Sequence, residues 1–317
     1  MGTTDRDERA DSLLSYPALP EWVDNIARGA PPAGLERIRK YGGGQAWLDR
    51  LPMIVRDVAR KWKLTLGQPM RGGVVSLVAE AALPDGTQAV LKVQYPDREC
   101  EHEAAALRAW NGVGAIRLIE HDKDRWALLI ERCVPGTPLC KMDGSEDARI
   151  DVIVRLLPRL WVPTKGPFAA LEVEAARWAA SLEGEWERAG RPWKRRFTDA
   201  AIDVLRSLGP TQGAQVLINQ DLHGGNILRA RREPWLMIDP KPLIGEREFS
   251  LAPIVRSYEL GHSRTSVLRR LDRLTSDLGL DRERARLWTV GQTVAWATDS
   301  SHPATHIETV RWLLGEQ

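Results

Sequence analysis

The sequence predicts an α+β protein of two lobes: a small antiparallel β-sheet with one helix, followed by a mainly α-helical half. Three observations predict it. Short β-type runs cluster between residues 64 and 130, the apolar period turns helical after Pro135-Gly136-Thr137-Pro138, and one strand-turn-strand unit interrupts the helices near residue 220. The implied boundaries are an arm over 1–44, a sheet lobe over 45–134 and a helical lobe over 135–317.

The arm is charged and punctuated by Pro17, Pro20, Pro31 and Pro32, and reads as a loosely attached segment with a short helix or two. Over 45–62, Trp47, Leu48, Leu51, Ile54, Val55, Val58 and Trp62 recur at helical spacing, with Pro52 expected in an early turn or at the true start. Strands are expected over 64–67, 74–81 and 88–93, joined by glycine-bearing turns. In the first turn Gly72 and Gly73, with Ser76 beyond them, are candidates for nucleotide binding, because missing side chains let backbone N–H groups approach phosphate.

Lys92 stands in the apolar run Ala-Val-Leu-Lys-Val, and a buried ammonium needs an anionic partner. Over 97–110 a helical wheel places Glu103 on the face of Cys100, Ala104, Leu107 and Trp110. Pairing Lys92 with Glu103 satisfies both charges and leaves the lysine to reach nucleotide phosphates; Glu99 is the alternative partner. Two more strands, 115–119 and 126–130, lead into the proline-glycine segment, which reads as a hinge. Helices are then expected over 147–157, 171–188, 198–208, 266–278, 282–298 and 305–314. Trp161, Trp178, Trp186, Trp193, Trp288 and Trp296 read as packing residues of this half.

The segment 217–228 contains Asn219-Gln220-Asp221-Leu222-His223-Gly224-Gly225-Asn226 and is followed by Leu236-Met237-Ile238-Asp239-Pro240. Apolar runs flank a polar turn, and three side chains are spaced Asp-x4-Asn-x12-Asp. That set suits phosphoryl transfer, in which one carboxylate accepts the nucleophile's proton while an amide oxygen and a second carboxylate hold Mg²⁺ against the phosphates of ATP. Asp221 is the candidate base; Asn226 and Asp239 are the candidate metal ligands. His223 reads as a loop-packing residue, since no Gly-x-Ser-x-Gly elbow accompanies it.

On these residues, together with the run from Pro234 through Pro240-Lys241-Pro242 to Gly245 and with Ala104-Ala105-Ala106-Leu107-Arg108-Ala109-Trp110, the chain resembles the aminoglycoside phosphotransferase superfamily. It looks most like the branch of streptomycin 6-phosphotransferases and hydroxyurea phosphotransferases. The resemblance runs through most of the chain from about Leu51. It implies a protein-kinase-like fold, ATP between the lobes with Mg²⁺, and transfer of the γ-phosphoryl group to a hydroxyl of an antibiotic. Streptomycin is the first acceptor it suggests and hydroxyurea the next. Two departures stand out: Asn219-Gln220 where the superfamily usually has His-Gly, and Ser250 where many relatives have Asp. Both positions are expected to buttress the loop. A nucleotide-binding chain without turnover is the reading from another class; it predicts loss of the catalytic Asp or a metal ligand, and all three residues stand. Glu246, Glu248 and Asp299 are candidate carboxylates for the guanidinium groups of a cationic acceptor.

Composition sets the outer bounds. An apolar content of 43% and a charged content of 28% are globular values, and a formal charge of +2 gives no reason to invoke nucleic acid. No run reaches the ~18 apolar residues of a spanning helix, so no membrane role is expected. Cys100, Cys133 and Cys140 lack the spacing of a disulfide framework or zinc site, which fits a reducing cytoplasm. A monomer acting on a small molecule is the expectation.

Overall fold

The computed structural model describes residues 18–70 and 75–316. The candidate residues Gly72 and Gly73 lie outside them. The chain divides into two compact units, one running to Tyr95 and adding Asp122–Leu129, the other holding Pro96–His121 and the chain from Ile130 onward. This division groups residues 96–121 with the second unit, whereas the sequence reading placed them in the sheet lobe.

In the first unit, helices α1 (Glu21–Ala27) and α2 (Gly44–Lys61) precede strands β1 (Thr65–Pro69), β2 (Ser76–Ala82) and β3 (Gln88–Gln94). With β4 (Leu118–Asp122) and β5 (Ala127–Glu131) these strands form a sheet in the order β1-β2-β3-β5-β4. Helix α2 forms because Trp47, Leu48, Leu51, Val55 and Val58 make one apolar face, buried in a core with Leu77, Ala79, Leu91 and Val93. Trp47 also donates its indole N–H to the Gln94 carbonyl at 3.1 Å, joining helix to sheet. Pro52 lies inside α2 and not in its first turn. The lost hydrogen bond is tolerated because the apolar residues on both sides of Pro52 bury into the same core. Strand β3 is flanked by β2 and β5 and is buried at every position after Gln88, so Lys92, opposite Val78, is only 4% exposed.

The second unit begins with α3 (Glu103–Trp110), shorter than the expected helix. Asp97 Oδ1 accepts from the Glu99 N–H at 2.8 Å, so the chain turns before it coils. Strand β4 likewise starts later than expected, since Ala115 forms an isolated parallel bridge with Met237. Arg232 secures this corner by donating to the carbonyls of Gly112 (2.6 Å) and Ala115 (2.9 Å) and to both Glu131 oxygens at 2.8 Å.

The remaining helices are α4 (Glu146–Leu160), α5 (Leu171–Arg188), α6 (Arg195–Leu208), α7 (Ala252–Val255), α8 (Arg264–Leu278), α9 (Arg282–Ala295) and α10 (Pro303–Leu313). Ser145, Ser263 and Asp281 cap α4, α8 and α9 through their side-chain oxygens. Among the helices lie two strand pairs: β6 (Gln215–Asn219) with β9 (Pro242–Glu246), and β7 (Ile227–Arg229) with β8 (Trp235–Met237), both antiparallel. Their core joins Leu171, Trp178, Leu205, Ile218, Leu243, Phe249 and Trp288, with Phe249 edge-on to Trp288 at 5.3 Å between centroids. No helix among the described residues is long and apolar enough to cross a membrane.

Glu246 corrects a sequence expectation. It is 2% exposed and already committed, accepting from Arg284 Nε (3.0 Å) and a terminal nitrogen (2.7 Å), from the Gly213 N–H (3.1 Å) and from the Trp288 indole. Its acid holds the fold and cannot grip an acceptor. Glu248 accepts from the Asp281 N–H at 3.4 Å at the start of α9. Arg284→Ala should therefore leave a buried, under-compensated carboxylate, with an expected loss of about 3–5 kcal/mol. The midpoint of urea unfolding would measure it; an unchanged midpoint would mean that Trp288 and Gly213 hold Glu246 without the cation.

Candidate active site

The site is built where the two strand pairs end. The β6–β9 register sets Asn219 opposite Pro242, so the segment leaving β6 runs beside Lys241. The Gln220 N–H donates to the Lys241 carbonyl at 3.0 Å. Asn219 Oδ1 accepts from two backbone groups at once, the N–H of Asp221 (3.0 Å) and that of Lys241 (2.9 Å). On the far side, Gln292 of α9 donates to the Gln220 carbonyl at 2.8 Å. This is how Asn219-Gln220 buttresses the loop: one amide side chain holds both of its edges. Ser250, the other departure, donates to the Arg247 carbonyl and accepts from the Trp161 indole at 3.1 Å.

The β7–β8 pair brings in the candidate metal ligands. Ile238 donates its N–H to the Asn226 carbonyl at 2.9 Å, placing the two segments side by side. Asn226 Nδ2 donates to the Asp221 carbonyl at 3.0 Å, which leaves its amide oxygen as the hard donor. Asp239 has φ +50°, a left-handed conformation that Asp tolerates better than most residues and that turns the chain between Ile238 and Pro240. Asp221, Asn226 and Asp239 thus come from one framework of strand ends. Among the described residues no group of three or more His, Cys, Asp or Glu side chains is arranged to hold a metal. One amide and one carboxylate instead fit Mg²⁺, which keeps much of its water and takes other ligands from substrate phosphates.

Two cations flank Asp221. Lys241 Nζ lies 3.3 Å from its Oδ2 and 2.8 Å from Glu99 Oε2; a terminal Arg256 nitrogen lies 3.9 Å from its Oδ1. Both cations sit over the Trp296 ring, at 4.9 Å for Lys241 and 4.6 Å for Arg256. Burial works against the Lys241 charge, but Asp221 and Glu99 outweigh it and hold the ammonium well above its ordinary pKa. For Arg256 burial wins over Asp221 and pulls the value down to about 10, which leaves it charged at neutral pH. Sequence reasoning missed this group. It offered Glu99 to Lys92, whereas Glu99 pairs with Lys241, and it read Trp296 as packing. Lys241, two residues after Asp239, carried a local signal; Arg256 and Trp296 are placed only by tertiary packing.

The glycines of the loop answer to close approach. A side chain at Gly224 would meet Leu260 and Cys140, and one at Gly225 would meet His223 at 2.8 Å. His223 Nδ1 lies 3.0 Å from Glu259 Oε2, which also accepts from the Gly225 N–H at 3.0 Å. An Nδ1 proton donated to Glu259 satisfies all three groups, and His223 packs the loop as expected. Burial lowers the His223 pKa, but the Glu259 hydrogen bond and the charges of Asp221 and Glu259 raise it further, above its ordinary value. Glu259 is lowered, chiefly by His223.

The other candidates lie elsewhere in the chain. Ser76 opens β2 and Lys92 lies in β3, both in the first unit and both 4% exposed; Glu103 is the first residue of α3, in the second unit, and 1% exposed.

Residues 61–302 match the family model described as Aminoglycoside/hydroxyurea antibiotic resistance kinase. The chain is 38% identical over 271 residues to a hydroxyurea phosphotransferase of Kitasatospora aureofaciens, covering 83% of this chain and 78% of that protein. It is 36% identical over 290 residues to a streptomycin 6-kinase of Streptomyces glaucescens, covering 86% and 92%. Among solved structures it is similar to a thermostable mutant of aminoglycoside phosphotransferase APH(4)-Ia in ternary complex with ADP and hygromycin B, with a TM-score of 0.56 and 12% identity over 82% of this chain and 95% of that one. At that identity the likeness is one of fold, the protein-kinase-like α+β fold expected from the sequence.

The His223–Glu259 pair sets a pH window. A raised histidine pKa adds stability that is full below the unfolded value of about 6.5 and fades as pH rises through the folded one; a lowered glutamate pKa adds stability that is lost as pH falls through its folded value, below about 4.5. Glu259→Gln should therefore cost most between about pH 5 and 6.5, and the gap from wild type should narrow toward pH 9. Nuclear magnetic resonance titration should find the His223 pKa above 6.5 in the wild type and lower in the variant; equal values would remove the ion pair from the account.

Proposed function

This chain belongs to the aminoglycoside/hydroxyurea antibiotic resistance kinases, and from that premise we propose that it transfers the γ-phosphoryl group of ATP to a hydroxyl of a small antibiotic. The observation that carries the reading is that Asn226 Nδ2 binds the main-chain carbonyl of Asp221 at 3.0 Å, tying the two residues into one loop, with Asp239 just past the adjoining strand β8. Asp221 orients the acceptor hydroxyl and takes its proton as the oxygen attacks phosphorus. Asn226 and Asp239 would hold Mg²⁺, which neutralises phosphate charge when bound. Lys92, with Glu103, and the backbone near Gly72, Gly73 and Ser76 would position the nucleotide phosphates.

For the acceptor, the streptomycin 6-kinase likeness over 92% of that relative favours a streptomycin-like aminoglycoside. A small neutral acceptor of the hydroxyurea kind is the second reading. It is favoured by the carboxylates described above being already paired, Glu246 with Arg284, Glu259 with His223 and Glu99 with Lys241.

Incubation with Mg-ATP and a panel of aminoglycosides, hydroxyurea and other hydroxylated antibiotics, read by mass, tests the class of reaction. For a polycationic acceptor KM should rise with salt, because exposed ion pairs are screened over about 8–10 Å, whereas KM for a neutral acceptor should not respond. Asp221→Asn is expected to keep nucleotide affinity while lowering kcat by about 10²- to 10⁴-fold. Asp239→Ala should weaken Mg-dependent nucleotide binding measured calorimetrically. Near-normal turnover in the first variant, or unchanged Mg-ATP affinity in the second, would move the base or the metal site elsewhere.

A further inference from the structure

Lys241 is not used by the mechanism above, yet its ammonium lies 3.3 Å from the Asp221 carboxylate, nearer than Arg256 at 3.9 Å. We propose that Lys241 is a second catalytic residue, whose ammonium contacts the phosphoryl group during transfer; this rests on Asp221 being the base.

A hydroxyl bound by Asp221 sits about 2.7 Å from a carboxylate oxygen, and the phosphorus it attacks lies roughly 3–3.5 Å beyond in the reactive geometry. An ammonium 3.3 Å from that carboxylate is within about one side-chain rotation of the equatorial oxygens. As the new bond forms, the bond from phosphorus to the β–γ bridging oxygen breaks. ADP leaves with the electron pair, and the hydroxyl proton passes to Asp221. Charge on the group in flight spreads over its oxygens, where a preplaced cation acts most strongly.

Lys241 is built for such a role. Its side chain keeps 22% exposure, so a ligand can meet it, while Arg256, near the other carboxylate oxygen, is 7% exposed. Trp296 lies under both cations and limits where the ammonium can go. Glu99, 33% exposed, holds the ammonium at 2.8 Å and is a partner it can leave when phosphate arrives. Arg256, more deeply buried, lies 3.9 Å from the other carboxylate oxygen, beyond hydrogen-bond distance, and acts on Asp221 through its charge. The two cations therefore divide the work: Arg256 offsets the Asp221 charge, and Lys241 meets the substrate.

A binding experiment on the full chain separates contact from mere support. Calorimetry would compare the affinity for MgADP with and without aluminium fluoride, which mimics the transferring group. In the wild type, fluoride should tighten ADP binding. Lys241→Met should keep MgADP affinity within about threefold, lose at least about tenfold of that tightening, and lower kcat by about 10²- to 10³-fold. Lys241→Gln, which keeps polarity without charge, gives the same reading if the methionine variant fails to fold. Equal tightening in wild type and variants, no tightening in the wild type, or parallel loss of plain MgADP affinity in the variants overturns the proposal. A wild type that binds no MgADP fails the proposed function itself and takes this inference with it.

Discussion

A single side-chain oxygen, Oδ1 of Asn219, holds the backbone N–H groups of Asp221 and Lys241 at 3.0 and 2.9 Å, and the site depends on it. Each of those donors, left unmet, would cost roughly 1–3 kcal/mol where water cannot reach it. Helix α9 grips the same strand pair at both ends: Gln292 holds the Gln220 carbonyl, while Arg284 and Trp288 hold Glu246. The register Asn219↔Pro242 and Gln215↔Glu246 makes these the two ends of one ladder. Packing of one helix thus fixes the position of Asp221, the proposed base, and the polar contacts are its means.

Much of this was legible in the sequence because it is local. The helix over Leu171–Arg188 was read to the residue from apolar spacing, and the strands around 217 and 236 from short apolar runs beside a polar turn. The proposed chemistry could be read because Asp221, Asn226 and Asp239 lie within one short stretch of chain. What could not be read was set by partners distant in sequence. Glu246 and Arg284 are 38 positions apart, and nothing near Glu246 announces that its carboxylate is spent on the fold. Arg256 and Trp296 meet only because α7 and α9 pack together, and Glu99 finds Lys241 across an even longer separation. Charged side chains are hard to place from sequence for this reason: exposure and pairing are decided by tertiary neighbours.

The proposed chemistry and the stability of the fold rest on different acids of the same half. Glu246 is enclosed by donors and serves the fold, whereas Asp221, the proposed base, keeps 18% of its side chain exposed. Exposure, more than residue type, tells the two roles apart.

The left-handed backbone of Asp239 bears on how such a chain is lost or retained in a population. Asn and Gly accept that conformation readily, while a β-branched residue does not. Codons for Asp are one nucleotide from those for Asn, Gly and Val. An Asn allele would keep the turn and offer an amide oxygen like that of Asn226, a Gly allele would keep the turn and lose the side chain proposed to hold metal, and a Val allele would strain the turn. Folded variants that have lost the proposed ligand should accordingly carry Gly at this position.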